Sequence, residues 1–266
     1  MVTRVGRIIG VGAVVLFGCL VYSWLTLPDV RSLRTLNPAT TAFMQLREKE
    51  AAAAGRAPRV VHRWLPYGRI SPELKKAVLV AEDAAFWDHD GVDFAELQAS
   101  ARVNWAKGQW LRGGSTITQQ LAKNLYLSPS KNPYRKVVEL LITRRLEADL
   151  SKTRIFELYL NSIEWGDGIW GAEAAAETYF GRAASDLTAS QAALLAGAII
   201  NPRLYSPAHP KARLLRRQRI ILARMGSPAR SPGPAVSPAE DLRNDTNVPD
   251  EPEQPPAPAP EAGEPQ

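Results

Sequence analysis

The sequence predicts a mainly α-helical domain behind one N-terminal transmembrane helix. Three observations lead there. Residues 8–27 carry no charge. Helix start and stop signals recur from Ser71 to Gly226. Only one short stretch, Arg59–Leu65 (RVVHRWL), has the character of a strand before Pro66 and Gly68 end it.

The N-terminal stretch, IIGVGAVVLFGCLVYSWLTL, has the twenty residues that a helix needs to cross a bilayer. Arg4 and Arg7 precede it, and Tyr22 and Trp24 stand near its far end, as interfacial aromatics do. A cleaved signal peptide would have a shorter apolar core followed by a small-x-small site, and SWLTLPDV offers none. A retained anchor is therefore expected. Arg31 and Arg34 balance the two leading arginines, so loop charge leaves the orientation open. The expected organisation is a short N-terminus over 1–7, an anchor over 8–27, one domain over 28–225 and a tail over 226–266.

The elements follow in order. Residues 38–54 contain an alanine run and predict a helix. Ser71 can cap the next helix, with Pro72 at its first position. Thr188 and Gln191 form a capping-box pattern, opening an apolar helix that stops at Asn201-Pro202. Residues 211–225 predict a basic amphipathic helix, with Leu214, Leu215, Gln218, Ile221, Leu222 and Met225 on one face and Lys/Arg elsewhere. Its charges suit either plain solvation or contact with a membrane surface. In 226–266, 11 of 41 residues are proline and large apolar residues are nearly absent. Such a composition buries no core, so a disordered acidic tail is expected.

That tail holds eight acids and two arginines, a net of −6, which leaves the first 225 residues at +12. So basic a body suits a phosphate-bearing or membrane-surface partner. The single cysteine, Cys19, excludes a disulfide framework and a thiolate metal cluster. His62, His89 and His209 are too scattered for a metal site. Gly166-x-Gly168-x-x-Gly171 matches a dinucleotide fingerprint but follows YLNSIEW, which continues a helical pattern, so a glycine-permitted loop is expected. Ser128-x-x-Lys131 lacks the companion motifs of a penicillin-binding site.

Two regions carry more chemistry. From Leu74 the apolar stripe runs through Ala77, Val78 and Ala81, and its next position is Glu82, while Asp83 is turned about 100° away. A carboxylate on an apolar face loses solvation and becomes a better base; alternatively, it bends out to water or pairs with an arginine. The second region runs from Arg112 to Glu139. Two glycines precede Ser115, Thr116 and Thr118, and a helix starting there would offer amides to an anion. Gln119 and Gln120 suit sugar hydroxyls. Lys123 lies on the face of Gln119, and Lys131, Arg135 and Lys136 follow. Glu139 shares an inward stripe with Ile142, Leu146 and Leu150, with Arg135 one turn away. Inward carboxylates suit chemistry at an anomeric carbon. Clustered cations suit a diphosphate leaving group, which needs charge rather than a proton.

These residues carry a resemblance. Glu82, Asp83, Phe86, His89 and Gly91 match E-D-x-x-F-x-x-H-x-G; Gly113 to Asn124 match G-G-S-T-I-T-Q-Q-x-x-K-N; Arg135, Lys136 and Glu139 match R-K-x-x-E. KTRIFELYLNSIEWG (152–166) and AAETYFGR (175–182) resemble two further signatures, with Phe156 where leucine is usual and Arg182 where lysine is common. Over residues 40–215 the chain resembles the peptidoglycan glycosyltransferases, and most of all the monofunctional biosynthetic transglycosylases. The resemblance implies a lysozyme-like fold and lipid II polymerised into β(1→4) glycan with inversion and release of undecaprenyl diphosphate. It makes Glu82 the base, and Glu139 the group that orients a cation or a divalent metal (Mg or Mn) at the diphosphate. Ser115, Thr116, Gln119, Gln120, Lys123, Asn124, Lys131, Arg135 and Lys136 would bind substrate. It implies a domain on the periplasmic side of the cell inner membrane, with the growing glycan strand and other cell-wall or division proteins as partners, and no nucleic acid. Trp105, Trp110 and Leu111 would either dip into lipid or pack in the core. Two other readings of the residues stay open: a lysozyme-type hydrolase or lytic transglycosylase, and a non-catalytic membrane scaffold.

Overall fold

The computed structural model describes residues 2–108, 114–129 and 132–226, without the side chains of residues 2–5, 8, 16, 19, 20, 23 and 24. All of the expected tail but Gly226, which ends the last helix, and Gly113, Lys131, Trp110 and Leu111 lie outside the described residues. Helices dominate, as the capping signals require. In chain order the main elements are α1 (Val2–Thr26), α2 (Ala42–Ala53), β1 (Val61–His62), α3 (Pro72–Glu82), α4 (Phe94–Lys107), α5 (Ile117–Tyr126) and α6 (Pro133–Asp149). They continue with α7 (Lys152–Ser162), β2 (Glu164–Gly166), β3 (Ile169–Trp170), α8 (Ala172–Phe180), α9 (Ala189–Ala198) and α10 (Ala212–Gly226).

The caps explain the boundaries. Ser71 Oγ accepts from the amides of Glu73 and Leu74 at the head of α3. Thr188 and Gln191 close a reciprocal capping box on α9. Helix α3 buries Leu74, Ala77, Val78 and Ala81 against α9 and α10, while α5 packs on α6 and α7. Each fully buried leucine, such as Leu74 or Leu121, contributes about 1.5–3 kcal/mol of transfer free energy. Phe156, at the position where leucine is usual, joins an aromatic cluster, its ring centroid 5.4 Å from Phe86, 6.2 Å from Trp87 and 6.2 Å from Tyr67.

The strand content differs from the sequence reading in two ways. The stretch expected over 59–65 contributes only Val61–His62, which pairs in parallel with Ile169–Trp170. YLNSIEW is not helical to its end: α7 stops at Ser162, and Glu164–Gly166 pairs antiparallel with β3. Gly166–Gly171 is therefore a glycine-permitted turn, Asp167–Gly168, between two short strands of a three-stranded sheet of order β1-β3-β2. Gly168 sits at φ +69°, and a Cβ there would lie 2.3 Å from the Arg59 carbonyl oxygen, so the tight approach of two backbones demands glycine.

Residues 2–26 form one helix, but among the described residues no helix is long and apolar enough to cross a membrane. Leu27, assigned to the anchor from sequence, is buried with Val30 and Leu33 in the domain core. Three arginines tie this segment to the domain, two from the domain on the segment's carbonyls and one from the segment itself. Arg145 donates to the carbonyls of Leu27 (3.3 Å) and Pro28 (3.5 Å). Arg154 donates to those of Leu33 (2.8 Å) and Leu36 (2.9 Å). Arg34 donates to the Asp149 carbonyl and carboxylate at 2.7 and 2.8 Å.

Candidate active site

Helix α3 ends at Glu82 because Asp83 leaves helical geometry, at φ −165° and ψ 80°. This corrects the helical-wheel expectation that Asp83 turns away. Beyond the helix end the 100° rule no longer applies, and Asp83 is buried. Its carboxylate accepts from the Ile117 amide at 2.9 Å and from His89 Nε2 at 3.0 and 3.2 Å. His89 Nδ1 accepts from the Gly91 amide at 3.1 Å, so the ring proton is assigned to Nε2 and donated to Asp83. Gly91 sits at φ +85°, and a Cβ there would lie 2.7 Å from Thr143 Cγ2. Phe86 is fully buried. The first signature is thus one side chain presented, Glu82, and a clamp that fixes the turn behind it.

Helix α5 supplies the opposite wall. Thr116 accepts from the Gln119 amide, and Gln119 Oε1 accepts from the Thr116 amide at 3.2 Å, a complete capping box. Thr116 Oγ1 donates to the Gly91 carbonyl at 2.7 Å. Both side chains are buried. Thr116 and Gln119 turn inward and hold the fold, and at the N-terminus of α5 the Ile117 amide is taken by Asp83 and the Gln119 amide by Thr116. Asn124 is likewise buried, donating to the Gln120 carbonyl at 2.8 Å.

Gln120 reaches the site: its Nε2 donates to Glu82 Oε2 at 2.9 Å. Glu82 is half-buried. Burial raises its pKa above the ordinary carboxylate value, opposed by the charge of Arg217, the Gln120 hydrogen bond and the charge of Lys123, while Asp83 adds to the rise. Glu82 is thus both desolvated and held by cations, the setting of a general base.

Lys123 lies between two carboxylates. Burial lowers its pKa, the charges of Glu139 and Glu82 oppose that, and Arg135 and Lys136 add to the fall. Among the described residues its ammonium makes no hydrogen bond; it stands 5.8 Å from the centroid of the Phe43 ring. Glu139 is buried, with Arg135 Nη1 at 2.9 Å from one carboxylate oxygen and Lys136 Nζ on the other. Lys136 Nζ also lies 3.5 Å from Ser115 Oγ. The site is therefore a carboxylate at one end, a cationic cluster at the other, and Lys123 between them.

Arg217 was not legible as a site residue. The sequence reading put every charge of α10 outside the apolar face, yet Arg217 is buried on the stripe of Leu214, Ile221 and Met225, with Nε donating to the Gly197 carbonyl at 3.1 Å. Leu215, expected inward, is 40% exposed. The i, i+3, i+7 spacing of Leu214, Arg217 and Ile221 was the available signal. Trp105 is 91% exposed, which removes core packing as its explanation. Among the described residues no cluster of three or more His, Cys, Asp or Glu side chains is placed to hold a metal.

The transglycosylase profile matches residues 47–226, which include both ends of this site. The chain belongs to the transglycosylase family. It is 50% identical over 189 residues to the biosynthetic peptidoglycan transglycosylase of Laribacter hongkongensis, covering 71% of this chain and 83% of that one. The protein of that name from Nitrosospira multiformis is 46% identical over 212 residues, 78% and 90% of the two chains. The Neisseria gonorrhoeae protein is 45% identical over 218 residues, 82% and 91%. Family membership supports an enzyme over the non-catalytic scaffold.

Proposed function

We propose that this enzyme is a peptidoglycan glycosyltransferase that polymerises lipid II, with Glu82 as its base. Glu82 takes the proton of the 4-hydroxyl of the incoming GlcNAc. That oxygen attacks the anomeric carbon of MurNAc at the reducing end of the growing strand. The bond from that carbon to the diphosphate breaks, undecaprenyl diphosphate leaves, and the configuration inverts. Lys123, Arg135, Lys136 and Lys131 meet the negative charge of the departing diphosphate. Gln120 holds Glu82, and Ser115 lies at the edge of the cationic cluster.

The observation that carries this reading is the state of the second carboxylate. A glycosidase of the two-carboxylate kind needs its second carboxyl free to act as acid, base or nucleophile. Both oxygens of Glu139 are instead engaged by Arg135 and Lys136. That arrangement orders cations for a leaving group already stable as an anion. Arg135 and Lys136 already neutralise Glu139, so the residues present do not favour a metal there.

The helix Val2–Thr26 is read as a single membrane anchor, with residues 1–7 in the cytoplasm and the domain on the periplasmic side of the inner membrane. Its support is the uncharged run from Ile8 and the exposure of Ile9, Val11, Val14, Val15, Phe17, Val21 and Leu25 around the helix. A helix apolar all round needs an apolar surrounding.

The deciding assay incubates the purified full chain with lipid II and measures glycan polymer by gel and by release of undecaprenyl diphosphate. Glu82→Gln, nearly isosteric, should lower the rate by about 10²–10⁴-fold. Polymerisation by Glu82→Gln at the wild-type rate would remove Glu82 as the base. Release of sugar fragments from preformed glycan would favour the hydrolase.

A further inference from the structure

Tyr159 is fully buried in α7, yet its hydroxyl reaches the active site. It donates to Gln120 Oε1 at 3.0 Å, and Gln120 Nε2 donates in turn to Glu82 Oε2 at 2.9 Å. A primary amide can present either end to a neighbour. With nitrogen toward Glu82, it meets an ionised carboxylate, which only accepts. With oxygen toward Glu82, it would suit a protonated carboxyl, which donates.

Tyr159 makes these two orientations unequal. Rotating the Gln120 amide would set its NH2 against the phenol and leave the phenol proton without that acceptor. A buried donor stripped of its acceptor is strongly disfavoured. The phenol also keeps its proton: burial and the negative charges of Glu82 and Asp83 hold its pKa well above the ordinary tyrosine value. It is thus a permanent donor.

The groups around Glu82 give this orientation its weight. Asp83, on the same chain turn, favours the protonated acid; Arg217 from α10 and Lys123 from α5 favour the ionised one. The two cations keep their sign in any rotamer. The Gln120 dipole reverses when the amide rotates. We propose that Tyr159 is a positioning residue that locks the Gln120 amide with its nitrogen toward Glu82 and so holds Glu82 in its proton-accepting form. This rests on Glu82 being the base.

The test is the pH dependence of polymerisation by the full chain, measured for wild type, Tyr159→Phe, Gln120→Met and the double variant. Loss of a hydrogen bond to the charged form raises the pH at which the base is protonated. Tyr159→Phe should therefore move the acid limb upward by about half to one pH unit and lose rate chiefly on the acid side. Gln120→Met should move it at least as far, and the double variant no further than Gln120→Met, because both act through one amide. A phenol that merely fills the core would lower the rate by one factor at every pH, and an unmoved limb in Tyr159→Phe overturns the proposal. Should that variant not fold, an unmoved limb in Gln120→Met overturns it equally. Glu82→Gln measured alongside separates the two levels. If it remains active, the base itself is misassigned; if it is inactive while both other limbs stay put, only the positioning role fails.

Discussion

Replacing Asp83 by asparagine tests whether the turn behind Glu82 is held by a single carboxylate. Asp83 accepts from two donors, the Ile117 amide and His89 Nε2. Asparagine offers one acceptor oxygen and one NH2. With its oxygen on Ile117, the NH2 faces the His89 N–H at the 3.0 Å now spanned by a hydrogen bond. His89 could shift its proton to Nδ1, but that proton would then face the Gly91 amide, which now donates to Nδ1. Either arrangement sets one N–H against another. The loss is the shorter His89 bond and the charge assistance of the bonds that remain, with one N–H set against another, together about 3 kcal/mol. For a domain of about 200 residues, that lowers the melting temperature by roughly 6–12 °C. Far-UV circular dichroism on the full chain in detergent reads it directly, and polymerisation should fall as Glu82 loses its seat. A melting temperature within about 2 °C of wild type would refute the clamp, since that corresponds to less than about 1 kcal/mol.

Arg217→Met removes the largest charge opposing the burial of Glu82. The pKa of Glu82, already raised, rises further, so rate is lost as pH falls and the acid limb moves upward; an unmoved limb would show that Arg217 serves only the packing of α10 on α9. If α1 is the anchor proposed above, deleting residues 1–26, and not Leu27, should leave a folded domain that polymerises lipid II in detergent but works more slowly on vesicles, where an anchor would concentrate enzyme at its substrate. Full activity on vesicles at high salt would make the anchor dispensable.

Much of the site was legible because it sits on regular helices. Glu139 on the stripe of Ile142 and Leu146, Arg135 one turn before it, and Glu82 after Ala81 all follow from a 3.6-residue period. The reading failed where that period stops or where a charge breaks the pattern. Asp83 is one residue past a helix end, so its direction is set by its partners: His89, six residues on across an irregular turn, and Ile117, which is distant in sequence. Thr116 and Gln119 looked like ligands because hydroxyls and amides suit sugars, yet the same groups close a capping box, and composition does not distinguish the two uses. Arg217 lay on an apolar stripe that was assigned without it, because a buried arginine needs a partner that only the fold supplies. The strands failed for a different reason: two- and three-residue strands are too short for alternation to show.

The lashing of residues 27–37 to α6 and α7 has a mechanical meaning. A polypeptide leash would let the domain tumble over the bilayer and sample its substrate at many heights. With Arg145, Arg154 and Arg34 gripping the chain directly after α1, there is no leash, and α1 and the domain meet through a braced joint. If α1 stands in the bilayer, its tilt and rotation become the tilt and rotation of the site that holds Glu82 and Glu139. The site would then keep one stand-off from the headgroups, a sugar on a diphosphate of fixed length would meet it at one height, and the finished strand would leave in one direction.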